Sequence, residues 1–267
     1  MWTVILKTIK LRRTSIVVFA LVIFGYTMLI GSFYPTIREN ADQFVELMDA
    51  YPENLMAFFG GDMMEFMTFE GFMSLEYYNF VWVFIVGGLA ISFATAAIAQ
   101  EHERGTLELI LWQPISRTKF LSAKVISMVL ILVAMTLITV LGTFASASLV
   151  DVTLNQGSYW IWAVEGILLM LALGGIAFLL SVIFNERGRA NLIAIAFLIV
   201  SYVLNSLAEI IDKIKDFEWL SLFNYYNPQE ILRTGEWPVQ SIIIFLSVFI
   251  VSIALSIIIF KRKNIAV

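Results

Sequence analysis

QEHERGTLELILWQPISRTKFLSAK, residues 100–124, is a charged island between two apolar runs that are each long enough to cross a bilayer. Gly105 breaks the chain, Thr106 can cap a helix, and Glu108 stands in the first turn, where negative charge favours the positive end of the helix dipole. Leu107, Ile110 and Leu111 follow at the spacing of one helical face. Pro114 ends that helix, and Ser116 is placed to cap the next, which carries Arg117, Lys119 and Lys124 into apolar sequence. The stretch reads as a short amphipathic helix across the mouth of a membrane helix. That is the shape of a docking handle.

Working outward, the rest of the chain is membrane sequence. Its 267 residues are 60% hydrophobic and 14% charged, with a mean hydropathy of +0.87. A soluble domain runs at roughly 45–50% apolar and about 25% charged. The formal net charge of −4 averages over a strong asymmetry along the chain, and no basic, aromatic-interleaved surface suggests nucleic acid as a partner. The absence of cysteine excludes disulfides, thiolate metal sites and cysteine nucleophiles.

A helix spanning a bilayer needs about 20 apolar residues. Six segments meet that length, at 15–34, 77–99, 123–150, 160–184, 190–211 and 239–260, so the expected fold is an all-α polytopic membrane protein in one transmembrane domain. Ahead of them, Trp2, Ile5, Leu6 and Ile9 share a face, with Lys7, Lys10, Arg12 and Arg13 largely off it. Residues 1–13 therefore read as an interfacial helix. A signal peptide is disfavoured, because the apolar run from Ser15 to Tyr34 exceeds a signal's core of about 7–15 residues. Of the 17 lysines and arginines, all but Arg38, Lys213, Lys215 and Arg233 fall on one side of this layout. The positive-inside rule then puts both termini and the 100–122 segment in the cytoplasm of a cell-membrane protein.

The outer side carries loops at 36–76 and 212–238. The first is acidic yet oily, with helical spacing at Phe44, Leu47, Met48 and Tyr51 and six of the eleven methionines. It reads either as interfacial helices sealing the outer mouth or as a flexible thioether surface for a greasy cargo. A copper(I) path lacks a supporting cysteine or histidine. The second, with Phe217, Trp219, Phe223, Tyr225 and Tyr226, reads as an aromatic belt or an outer gate.

The spans are nearly free of charge. Glu165 and Glu209 lie shallow on the outer side, and no ionisable relay stands near the middle of a span, which argues against an ion-coupled carrier or an intramembrane enzyme. Thr136, Thr139, Thr143 and Ser146 make a polar stripe on the third span. Together with Asn191 and Asn205 in the fifth, the stripe fits helix packing or a cargo pathway. No Gly-Lys-Ser or Gly-Lys-Thr phosphate loop occurs, and His102, the only histidine, has no partner set for a metal. The chain is expected to be non-catalytic, doing mechanical work for an energy source it lacks.

EHERGTLELILWQPISRTKFLSAK, 101–124, resembles the signature of permease subunits of type-2, exporter-class ATP-binding-cassette transporters, through its Glu-x-x-x-Gly-Thr-Leu-Glu core and the following Pro-x-Ser-Arg. YPENLMAFFG (51–60), TFEGF (68–72) and FNYYNPQEIL (223–232) resemble that family's outer loops. The resemblance implies six spans, an N-terminal surface helix, a coupling helix between spans two and three, and re-entrant outer helices. It also implies two copies of a cytoplasmic ATPase subunit, which would hold the ATP and Mg²⁺, and a second permease copy or paralogue. By the same resemblance Glu101, Glu103 and Glu108 would meet the ATPase, Leu107 and Leu111 would fill a groove in it, and Gly105, Thr106 and Pro114 would shape the approach. Trp112 and Gln113 are bulkier than the small residues often found there in relatives. The expected cargo is hydrophobic or amphipathic, such as an antimicrobial peptide, toxin or drug-like compound. The rival readings are an immunity or sensor protein that works without an ATPase, and a same-family permease serving ions, metal-centre maturation or motility.

Overall fold

Lipid offers the backbone no hydrogen-bond partner, so apolar runs of this length must wind into helices. The computed structural model describes residues 1–40, 67–107 and 116–263, and among them there is no strand. The helices are α1 (Trp2–Leu11), α2 (Arg13–Glu39), α3 (Phe69–Glu103), α4 (Arg117–Leu149), α5 (Gln156–Ile183), α6 (Arg187–Ile210), α7 (Pro228–Thr234) and α8 (Val239–Arg262). All but α1 and α7 are long and apolar enough to cross a membrane.

α5 is the hub, packing against α3, α4, α6, α7 and α8, while α2 and α1 both lie on α4. α3 and α5 are largely buried. α2 and α8 face outward with apolar residues such as Leu21, Val22, Ile250 and Val251. Small residues set the closest approaches, as between lipid-embedded helices generally. A Cβ on Gly31 would overlap Ser146, and one on Gly142 would stand 3.1 Å from Thr27, so α2 and α4 meet almost backbone to backbone.

The second long helix begins at Phe69, well before the start expected near 77. Phe69, Phe72 and Met73, which read as an oily loop, are buried, and the Tyr34 ring of α2 sits 5.3 Å from Phe69 and 6.2 Å from Phe72. Thr68 caps this start by accepting from the Gly71 N–H at 3.0 Å. From Ser74 to Trp82 the helix is wound as a π-helix. That segment turns Tyr77, Tyr78 and Trp82, all fully buried, into the bundle. Residues 41–66 of the 36–76 loop, including Phe44, Leu47, Met48 and Tyr51 and the 51–60 match, lie outside the described residues, as does the Glu209 side chain.

At the end of the bundle opposite residues 100–107, the 212–238 segment folds as a helical turn (Asp212–Lys215), two 3₁₀ turns and α7. Its punctuation is written in sequence. Asn227 accepts from the Glu230 N–H at 3.2 Å, Pro228 takes the first turn, and Gly235 ends α7 in the left-handed region at φ 71°. The Tyr226 hydroxyl accepts from Trp162 Nε1 at 3.1 Å and donates to the Tyr78 carbonyl at 3.3 Å, locking this segment onto α5 and α3. Burial, and then the nearby Glu165, pushes the Tyr226 hydroxyl well above its usual pKa, so it stays a neutral donor.

Candidate functional site

The junction between α3 and α4 is assembled from short-range sequence signals and one long-range pair. Gly105, at φ 67°, occupies a conformation that costs other residues energy, and its N–H closes onto the His102 carbonyl at 3.0 Å. The chain then folds back. The Thr106 hydroxyl turns onto Glu101, 2.6 Å from Oε2 and 3.1 Å from the backbone carbonyl, while the N–H groups it was expected to cap lie outside the described residues. The other carboxylate oxygen of Glu101 accepts from Lys124 Nζ at 2.9 Å, with the two side chains 21% and 9% exposed. Glu101 therefore ties the last turn of α3 to α4. Leu107 is also turned inward, at 1% exposure. Glu103 and Gly105 are exposed. Glu108, Leu111 and Pro114 lie outside the described residues.

Around this junction the same end of the bundle is stitched by cations. Arg12, at the break between α1 and α2, donates to Gln100 Oε1 at 3.0 Å and lies 4.7 Å over the Phe93 ring. Burial, then Arg187 and Arg104, lowers the pKa of the Arg12 guanidinium, with Glu101 opposing. Arg187 donates to Ser92 Oγ at 3.2 Å. Ser116 caps α4 as its position suggests, accepting from the Lys119 N–H at 3.3 Å. In the first turn of α4, Arg117 Nη1 donates to the carbonyls of Phe260, Lys261 and Lys263, at 3.2, 3.4 and 2.7 Å, supplying the last turn of α8 with the donors its chain end lacks. Lys263 Nζ in turn donates to the Val182 carbonyl at 2.6 Å. These contacts were not legible in sequence, since nothing local pairs residue 117 with residue 260.

The residues expected along a cargo pathway are distributed around α3. Thr136, Thr139 and Thr143 are fully buried and each hydroxyl donates to a carbonyl of its own helix. Thr139 also accepts from Trp82 Nε1 at 2.9 Å, and Thr143 shares a 2.6 Å hydrogen bond with the Tyr78 hydroxyl. The stripe thus meets the π-helical part of α3. Asn191 approaches α3 from the other side, accepting from Thr95 at 3.3 Å, and Asn205 lies further along α6, half-buried. Among the described residues no cluster of three His, Cys, Asp or Glu is arranged to hold a metal.

Residues 2–265 match the model of a family described as ABC-2 family transporter protein. No curated protein matches the chain.

Proposed function

Since the chain belongs to the ABC-2 family of transporter proteins, as a multi-pass membrane component with six apolar helices, we propose that it is the permease subunit of an ATP-driven exporter. A separate ATPase holds the ATP and Mg²⁺; this sequence has no phosphate loop of its own. Two such subunits grip the 100–122 segments of two permeases, either two copies of this chain or this chain with a paralogue. Nucleotide closure provides the difference in binding between states that any such switch requires. Cargo that is hydrophobic or amphipathic leaves along the interface of the two permeases. The observation that carries this reading is a family match over nearly the whole chain, joined to a charged loop anchored at both ends into α3 and α4.

Within the loop the roles divide. Glu103, exposed, and Glu108 make the contacts with the ATPase. Glu101 and Thr106 are positioning residues that hold the loop's base. Both termini and the loop are cytoplasmic, in keeping with the concentration of lysine and arginine at that end. The test is co-expression with a candidate ABC ATPase subunit from the same genome, followed by affinity purification of the tagged permease from detergent. The wild type is expected to retain the ATPase and Glu103→Lys with Glu108→Lys to lose it. Undiminished assembly in the double variant overturns the docking role.

A further inference from the structure

Where α7 passes into α8, a cavity of about 300 Å³ opens at the end of the bundle away from the 100–107 loop. The left-handed turn at Gly235 brings Glu236 and Trp237 round to its rim, facing Glu230 and Tyr225. Glu165, nine residues into α5 and so roughly 14 Å along it, forms part of the wall. Three carboxylates and two aromatic rings therefore border one space, and no Lys or Arg is among the described residues that line it. Glu230 and Glu236 are exposed, and Glu230 accepts from Asn227 Nδ2 at 3.1 Å. Glu165 is different. It is 1% exposed, and neither of its carboxylate oxygens has a hydrogen-bond partner. The Asn227 N–H and the Ser241 hydroxyl face it without reaching bonding geometry.

A carboxylate taken out of water with no partner is strongly unfavourable, and a cation brought to it from the open side removes that penalty. We propose that this cavity is a binding site for an organic cation, whose ammonium or guanidinium group pairs with Glu165 while Tyr225 and Trp237 flank it. Aromatic faces attract such cations and the rim carboxylates raise their local concentration. A calcium or magnesium ion would need about six or more oxygen ligands, and among the described residues no three His, Cys, Asp or Glu side chains are arranged to hold a metal. The site is independent of ATP coupling, and so is its test.

The purified full chain in lipid nanodiscs is titrated calorimetrically with 2-phenylethylammonium and with its neutral analogue 2-phenylethanol, empty nanodiscs being subtracted. The ammonium is expected to bind about tenfold or more tightly than the alcohol, the preference of one charged hydrogen-bonded pair. Glu165→Gln should abolish that preference. Trp237→Ala, at an exposed position where folding is not at stake, should weaken ammonium binding about two- to fivefold. Equal affinity of the wild type for the two probes overturns the proposal, as does a preference that survives Glu165→Gln. Calcium that displaces the ammonium and depends equally on Glu165 also overturns it, by assigning the site to a metal.

Discussion

Gly166 shows how single atoms fix this bundle. A Cβ there would stand 2.9 Å from the ring of Trp82, and that ring is hemmed in, because its Nε1–H is held by Thr139 and its centroid lies 5.2 Å from that of Trp162 in an edge-on pair. Gly166→Val is expected to destabilise the protein by about 1–3 kcal/mol, the usual penalty of overpacking, read as a fall in thermal midpoint in lipid nanodiscs. Gly25→Ala is the control: nothing lies within 4 Å of its Cβ, so the midpoint should hold or rise. Residue-scale facts of this kind were the least legible in the sequence. Nothing in the sequence sets Gly166 apart from the other glycines of the spans. Glu165 beside it looked shallow and ordinary until the fold showed its carboxylate enclosed without a partner.

At the scale of elements, local signals were read well and pairings between distant elements were not. Ser116 announces α4, because a cap depends only on neighbours in sequence, whereas Asn227-Pro228 and Gly235, which bound α7 by signals of the same kind, went unread behind the aromatic residues of 212–238. The π-helical winding of Ser74–Trp82 carries no such mark; its Tyr78 and Trp82 meet partners far away in sequence, Thr143 and Thr139 on α4 and Trp162 on α5. The base of the 100–122 loop belongs with these long-range effects. Glu101 was expected, by resemblance, to meet the ATPase; what the sequence did not announce is that its carboxylate also pairs with Lys124 on the next helix. Glu101→Lys should therefore destabilise the junction by about 1.5–3 kcal/mol, the range for a hydrogen bond to a charged group. The exchange Glu101→Lys with Lys124→Glu should restore most of that loss and any retention of the ATPase that goes with it. A double variant no better than the single, by thermal unfolding and by co-purification, would show that Glu101 does not act through Lys124.

Over the whole molecule, the six apolar runs and the family were both legible, because length and hydropathy alone demand the spans and the 101–124 motif is contiguous. The proposed orientation rests on the distribution of lysine and arginine, and the chain's lack of cysteine makes it easy to check. A single cysteine at Glu103 and another at Lys213, both exposed, place a thiol at either end of the bundle. On intact cells a membrane-impermeant maleimide should label Lys213→Cys, and Glu103→Cys only after permeabilisation; the reverse pattern would invert the topology. Arg117 gives the layout a mechanical consequence. By gripping the closing carbonyls of α8 across 143 residues of sequence, while Lys263 fastens the same tail to α5, it knots three spans together at the foot of the loop. Any tug on that foot is delivered at once to the last helix and the central one, which are hauled as a single load.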